Sequence, residues 1–235
     1  MFLSLNELTK IEEKVVLIYN KKSSCIGHGA LIDSNGLILT ASHLFDESTV
    51  IGYRVNVRVN GGRATQMYVA RVVKLEWKWD IALLQIEVPN KLKYAKFAKK
   101  VRVGQDLHMV VSSDGDILSY TSGTVAFERR PFGDIVHSKN IDYFDPETIF
   151  VQAHNLHGQP GCSGAPIFSS KGRIVGMYSS AYLKSDLLVH VEHLKTLSYS
   201  FIQEGETSEA GGKKKRKQKK KRGETSEAGG KKKRK

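Results

Sequence analysis

The sequence is poor in cysteine and in long apolar runs, and each shortage excludes a class of protein. Only Cys25 and Cys162 occur among 235 residues, so a secreted scaffold built on several disulfides is excluded, and reduced thiols inside a cell are expected. No run of about 18 apolar residues occurs, so no membrane-spanning helix is expected. The N-terminus has no basic stretch followed by an apolar one, and we therefore expect no signal peptide.

Excess charge of one sign is also missing until the chain reaches residue 205. The formal net charge is +13, yet residues 1–204 carry 23 Lys and Arg against 20 Asp and Glu. Residues 205–235 carry 14 Lys and Arg against four Glu, and one 13-residue sequence occurs twice, at 205–217 and 223–235. Such a low-complexity segment cannot bury a core, so it is predicted to be a disordered basic tail.

The basic run inside this tail is of the type read as a nuclear localisation signal. It would bind a nuclear import receptor, and it also suits non-specific contact with nucleic acid. A plain solubilising segment is the alternative. The sequence therefore predicts an intracellular protein located in the nucleus, with the cytoplasm as the alternative. The residues that carry this prediction are Lys213, Lys214, Lys215, Arg216, Lys217, Lys219, Lys220, Lys221 and Arg222.

Short apolar runs separated by turn residues dominate the body of the chain, and few helical periods interrupt them. The pair Asn35-Gly36 lies between two such runs and is a strong signal for a β-hairpin. Regular short strands of this kind indicate an all-β barrel or sandwich. The predicted strands lie at 15–19, 29–32, 37–40, 54–59, 67–75, 81–86, 106–111, 119–125, 149–153, 165–168 and 174–178.

The strands form two series, which predicts two β lobes of similar size within one body at 14–204. A polar loop at 129–146, interrupted by prolines, is predicted to border a binding cleft. The remaining predictions are a lead-in at 1–13, a first lobe at about 14–90, a basic link without strands at 89–100, a second lobe at about 100–200 and a short helix near 191–201.

A serine between glycines is the strongest candidate for chemistry. The turn Gly161-Cys162-Ser163-Gly164 would present one hydroxyl and several free backbone N–H groups, which is the equipment of a nucleophile with an oxyanion hole. The hydroxyl needs a base, and His43 follows the apolar run 37–40, so that a strand end would project its ring. Asp80 lies between apolar neighbours, is expected to be partly buried and therefore needs a partner. That partner would be a histidine ring, which the carboxylate orients.

Three segments resemble the motifs of chymotrypsin-like serine proteases, especially the HtrA/Deg branch. The segment 27–43 resembles the strand–turn–strand around the family's histidine, 80–84 its aspartate motif and 161–166 its serine motif. Their order along the chain is that of the chymotrypsin fold. The resemblance covers roughly residues 14–200 and implies two six-stranded β-barrels with a short C-terminal helix.

The resemblance also implies roles for single residues. Ser163 would be the nucleophile, His43 the general base and then acid, and Asp80 the group that fixes the tautomer of His43. The backbone N–H groups of Gly161 and Ser163 would form the oxyanion hole. The residues 185–191 resemble the strand that walls the family's primary substrate pocket. No cofactor and no metal are implied. The pocket candidates are His157, Leu188, Val189 and His190.

Three positions depart from the family pattern. Cys162 stands where digestive members carry an aspartate that pairs with a newly cut N-terminus, so activation by that route is not expected. Ala165 replaces a more usual second glycine. No peptide-binding PDZ domain is expected after the protease body. Cys162 itself is a poor candidate nucleophile, because related cysteine proteases need a glycine directly after the cysteine, and here Ser163 follows.

The resemblance favours a serine endopeptidase that acts on proteins or peptides. The alternative is a catalytically silent protease fold that binds peptides or nucleic acid and is recruited by its basic tail. Trimers are common in the family, which leaves a homo-oligomer open. The motif set indicates chemistry at Ser163, and the fold has to decide whether His43 and Asp80 reach it.

Overall fold

A computed structural model describes residues 3–60, 65–112, 118–136 and 144–204. The chain divides into two units, Met1–Lys195 and Thr196–Lys235. All the strands that the structure describes lie in the first unit, and the described part of the second unit is helical. The predicted tail, with its basic run, falls on residues 205–235 and lies outside the described residues.

Strands make up about half of the described part of the first unit. Two single-turn 3-10 helices, at Ser42–Leu44 and Trp77–Trp79, interrupt them. The helices and strands in chain order are α1 (Leu5–Glu12), β1 (Val15–Tyr19), β2 (Cys25–Leu31), β3 (Leu37–Thr40), β4 (Arg54–Asn60), β5 (Thr65–Glu76), β6 (Ile81–Gln85), β7 (Lys96–Phe97), β8 (Asp106–Ser112), β9 (Leu118–Pro131), α2 (Phe132–Ile135), β10 (Ile149–His154), β11 (Pro166–Phe168), β12 (Arg173–Tyr182), β13 (Ser185–His190) and α3 (191–204).

The first six strands form a closed antiparallel barrel in the order β1-β2-β3-β6-β5-β4. The predicted hairpin at Asn35-Gly36 is confirmed, because β2 pairs with β3 in the register Ala30 to Leu39. The turn is built by Asp33, whose Oδ1 accepts the N–H groups of Asn35 and Leu37, and by Gly36 at φ +89°. The core of this barrel consists mainly of Val16, Ile18, Leu31, Ile38, Phe45, Val57, Val59, Val72 and Leu84.

The second barrel is closed by a short strand. Its order is β11-β8-β9-β10-β13-β12, and β11 pairs with both β8 and β12. The two-residue strand β7 adds to β12 in parallel. The prediction of two six-stranded barrels is therefore confirmed. The strands β1 and β2 contact β8 and β11, which brings the two barrels together.

Two local predictions are wrong. The link at 89–100 contains β7, whose backbone pairs with Arg173 and Ile174. The predicted loop at 129–146 begins as strand, since β9 continues to Pro131, and α2 follows. Proline is tolerated there because it is the last strand residue, where a missing N–H breaks no further ladder bond. Residues 137–143 lie outside the described part.

Helices α1 and α3 are the first and last elements of the described chain, and α2 directly follows β9 in the sequence. Helix α1 begins with a capping box, in which Ser4 accepts the N–H of Glu7 while the Glu7 carboxylate accepts the N–H of Ser4. The helix predicted near 191–201 is confirmed at 191–204. Among the described helices, none has the length and apolar character needed to cross a bilayer.

Candidate active site

One edge of the first barrel carries both His43 and Asp80. Strand β3 ends at Thr40, and β6 begins at Ile81; because the strands are antiparallel and Thr40 pairs with Ala82, these two ends meet. His43 lies in the 3-10 turn directly after β3, and Asp80 lies just before β6. His43 is thus projected by a turn beyond the strand end, not by the strand itself as predicted.

The carboxylate of Asp80 is buried, and both of its oxygens accept hydrogen bonds. Only 1% of the residue is exposed, and its backbone is left-handed at φ 55°, a conformation that Asp tolerates better than most residues. Ser42 Oγ and the His43 N–H donate to Oδ1 at 3.2 and 3.0 Å. Ser179 Oγ, from β12 of the second barrel, donates to Oδ2 at 2.7 Å. The predicted burial is confirmed, and the partners fix the carboxylate's orientation.

The ring of His43 lies between Asp80 and Ser163. Its Nδ1 is 2.9 Å from both carboxylate oxygens, and its Nε2 is 2.7 Å from Ser163 Oγ. Because a carboxylate only accepts, Nδ1 carries the proton and Nε2 is left to accept from the serine hydroxyl. Burial alone lowers the pKa of His43, but the hydrogen bond and the charge of Asp80 outweigh it and raise the pKa above the ordinary 6.5.

Ser163 lies in a tight turn just before β11. The glycines on either side have positive φ, +97° at Gly161 and +79° at Gly164. A Cβ at Gly164 would lie 2.2 Å from the carbonyl oxygen of His28, so only glycine fits. The N–H of Gly164 donates to Tyr178, whereas the N–H groups of Gly161 and Ser163 donate to no residue that the structure describes.

The two unusual residues of this turn have simple explanations. Cys162 is 7% exposed, and burial raises the pKa of its thiol, which keeps the sulfur protonated and poorly nucleophilic. Ala165 is fully buried and does not adopt positive φ. A methyl group at that position is therefore compatible with the turn, and glycine is not needed there.

A cavity of about 1220 Å³ adjoins His43 and lies between the two barrels. Most of its lining is apolar, with aromatic side chains from both barrels, and charged groups such as Asp46 and Lys78 lie among them. The residues 179–182 of β12 also line it. The aromatic side chains of the lining are Phe45, Trp77, Phe132, Phe144 and Tyr182.

The predicted pocket residues are not brought into this cavity. Leu188 and Val189 are completely buried within β13, and His190 is 6% exposed. His157 is exposed in the loop before the serine turn. Instead, Leu187 of β13 lines the cavity. Within the described residues, no group of three or more His, Cys, Asp or Glu side chains is arranged to hold a metal ion.

Sequence reasoning missed the two serines that bind Asp80. Ser42 is adjacent to His43, and a hydroxyl directly beside the candidate base was a signal that could have been used. Ser179 is 99 residues from Asp80 in the sequence, and no local pattern links them. Both residues are buried.

Comparison with known proteins agrees with this geometry. The family model "Trypsin-like peptidase domain" matches residues 27–177. A protein of Marinomonas sp. (strain MWYL1) named "Probable periplasmic serine endoprotease DegP-like" is 32% identical over 164 residues, which are 69% of this chain and 31% of that protein. "Serine protease HTRA1A" of Danio rerio is 25% identical over 166 residues, 68% of this chain and 32% of that protein.

A solved structure shares the fold. The MamO protease domain from Magnetospirillum magneticum, in its apo form, superposes with a TM-score of 0.65 at 17% identity and covers 80% of this chain and 96% of its own. This chain spans about a third of the length of the curated relatives it matches. With the family model matching more than half of its residues, the chain belongs to the trypsin-like peptidase family.

Proposed function

We propose that this domain is a serine endopeptidase that cleaves peptide bonds through an acyl-enzyme on Ser163. One observation carries the proposal: the His43 ring is within hydrogen-bond distance of both the Ser163 hydroxyl and the Asp80 carboxylate. A nucleophile, a base and a group that orients the base are the three parts that this chemistry requires.

In the first step, Ser163 Oγ attacks the carbonyl carbon of the scissile bond, and its proton passes to His43 Nε2. Asp80 stabilises the imidazolium that forms and keeps Nδ1 as a donor. When the C–N bond breaks, His43 gives the proton to the leaving amine. A water molecule then attacks the ester while His43 takes its proton. When the C–Oγ bond breaks, His43 returns this proton to Ser163 Oγ, and the acid product leaves.

The negative charge that develops on the carbonyl oxygen needs donors. The N–H groups of Gly161 and Ser163 are proposed to supply them, since neither donates to another described residue. Removing one such donor typically lowers kcat by about 10²- to 10³-fold. The backbone conformation of the turn therefore matters as much as the serine.

The substrate is proposed to lie along the cavity beside His43. The residues 180–182 of β12 pair with β13 on one side only, and on the other side they face the cavity. An extended peptide would add to this edge by main-chain hydrogen bonds. The aromatic lining favours apolar side chains upstream of the cleaved bond, which profiling with a peptide library would measure.

The test is cleavage of an unfolded protein such as reduced casein by the wild type and by Ser163→Ala. Ser122→Ala is the matched control, because Ser122 is also a half-buried serine but lies in β9 and does not line the cavity. We expect cleavage by the wild type and the control, and none by Ser163→Ala. Equal cleavage by all three would show that another protein or residue is responsible.

The silent-scaffold alternative predicts no cleavage by a folded wild type. For the basic run at 213–222 we propose nuclear import or, alternatively, non-specific contact with nucleic acid. A fluorescent fusion with residues 205–235 removed tests import, which predicts a shift from nucleus to cytoplasm. Contact with nucleic acid is tested by measuring the affinity for a DNA duplex, which should fall steeply as salt is added.

A further inference from the structure

His28 is a second buried histidine beside the serine turn. It lies within β2 and is 0% exposed. Its Nδ1 is 2.8 Å from the carbonyl oxygen of Gly161, and its Nε2 is 2.8 Å from the backbone nitrogen of Ser112. The ring thus joins the first barrel to two places in the second, the serine turn and the end of β8.

The two partners determine the tautomer of the ring. A backbone N–H can only donate, so Nε2 must be the bare nitrogen that accepts from Ser112. In a neutral ring the other nitrogen then carries the hydrogen. Nδ1 therefore donates to the Gly161 carbonyl, and this bond has one direction only.

The backbone of His28 holds the same turn at a second point. Its N–H donates to the Ser163 carbonyl at 2.8 Å. Its carbonyl accepts from Thr40 Oγ1 at 2.6 Å and lies directly against Gly164. The turn is thus bound to one residue on both sides of Cys162, at Gly161 through the ring and at Ser163 through the main chain.

The carbonyl of Gly161 belongs to the peptide unit just after the N–H proposed as an oxyanion donor. The two peptide units share the Cα of Gly161, so the bond to His28 fixes the position of that atom, and a displacement of Gly161 that withdrew the N–H would have to break this bond. We propose that His28 is a positioning residue that holds the Gly161 carbonyl inward and thereby keeps the N–H groups of Gly161 and Ser163 available to substrate. This inference rests on the proposed function of Ser163.

The neutral form of the ring suits this role. Burial lowers the pKa of His28 to about 4, although the bond to Gly161 acts in the opposite direction. A proton on Nε2 would face the N–H of Ser112, and two donors would then meet with no acceptor between them. The ring is therefore neutral at the pH at which a base such as His43 is active.

Two substitutions of His28 separate its two bonds. The amide nitrogen of Asn is bonded to Cγ, as Nδ1 is, so His28→Asn keeps a donor toward Gly161 and loses the acceptor for Ser112. The amide of Gln is one bond further out, near Nε2, so His28→Gln keeps an acceptor for Ser112 and loses the donor. A positioning role predicts that activity follows the donor, whereas a merely structural role predicts that activity follows stability.

For His28→Gln we expect kcat to fall about 100-fold with KM within about threefold, the size of effect seen when an oxyanion donor is lost. For His28→Asn we expect kcat within about tenfold of the wild type although the urea midpoint is lower than that of His28→Gln. If kcat of a folded His28→Gln stays within about threefold of the wild type, or if both variants rank by stability, the proposal is overturned.

A second readout does not depend on turnover. The amide resonances of Gly161 and Ser163 in a 15N-labelled protein should shift in His28→Gln and stay near the wild type in His28→Asn. Unchanged resonances in His28→Gln would overturn the positioning role even if the wild type cleaves peptides. A wild type that cleaves nothing, with the expected shifts present, would instead refute the proposed function and leave the role of His28 supported.

Discussion

The regions around His43 and His28 use one side-chain type in opposite ways. Both histidines come from the part of the first barrel formed by β2, β3 and the turn after β3, and both reach the serine turn of the second barrel. The His43 side chain is 42% exposed and paired with a carboxylate, which raises its pKa. His28 is completely buried and paired with backbone groups, and burial lowers its pKa to about 4. The partner and the burial decide whether the ring exchanges a proton or holds a structure.

The largest effect is expected on kcat when His43, the catalytic one of the two histidines, is removed. His43→Ala removes the base and should lower kcat on the order of 10⁶-fold. Because the buried Asp80 carboxylate loses the ring but keeps its bonds from Ser42, Ser179 and the backbone N–H of residue 43, the free energy of unfolding should fall by about 1 to 3 kcal/mol. Peptide hydrolysis and urea denaturation measure the two. A variant that stays active within tenfold would remove His43 from the mechanism.

The next effect concerns the carboxylate that distinguishes the two histidines. In Asp80→Asn an amide faces Nδ1 of His43. Because an amide can donate as well as accept, it no longer keeps the proton on Nδ1, and kcat should fall about 10⁴-fold, as in related triads. Neutral His43 is the active base, so a raised pKa places the acid limb of the kcat/KM profile above pH 6.5 in the wild type. Residual activity of the variant should show this limb at lower pH.

The control for that experiment is Asp46→Asn. Asp46 lines the same cavity and is exposed, so the loss of its charge should leave the acid limb within a few tenths of a pH unit. A limb that shifts equally in both variants would show that general charge in the cavity, and not the bond to Asp80, sets the pKa of His43.

A third prediction concerns the close contact between the backbone carbonyl of His28 and Gly164 of the serine turn. Gly164→Ala would place a Cβ 2.2 Å from the His28 carbonyl oxygen at positive φ, so we expect a loss of at least about 4 kcal/mol in the free energy of unfolding. Gly161→Ala meets open space and carries only the conformational cost of positive φ, about 1 to 3 kcal/mol. Equal stabilities in urea would mean that the turn does not press on β2.

The smallest effect is the contribution of His28 to acid stability. Its folded pKa of about 4 lies below the ordinary 6.5, so the unfolded chain binds a proton first as the pH falls. Stability is therefore lost between pH 6.5 and about 4, by at most about 3 kcal/mol. His28→Asn cannot titrate and should show a shallower loss over that window. His190 has a similarly low pKa and remains in both proteins, so the difference isolates His28.

Much of the fold and the positions of three residues were predictable from the sequence. The Asn35-Gly36 signal located the hairpin, and apolar runs located β3 and β6, near whose ends His43 and Asp80 lie. Bonds between distant segments were not predictable. The bond of Ser179 to Asp80 and those of His28 to Gly161 and Ser112 depend on how the two barrels meet, which no local pattern encodes. His28 stood between two glycines in an apolar run, a signal of burial whose partner the sequence could not name.

The most direct test of the account is to locate the adduct of a fluorophosphonate on the intact protein. Such a reagent reacts with a serine only when a base has activated it. Mass spectrometry of the digested wild type should find one phosphonyl group per chain, on Ser163, and none after the same treatment of His43→Ala. An unmodified Ser163 in folded wild type, or an adduct that persists in His43→Ala, would contradict the claim that His43 activates Ser163.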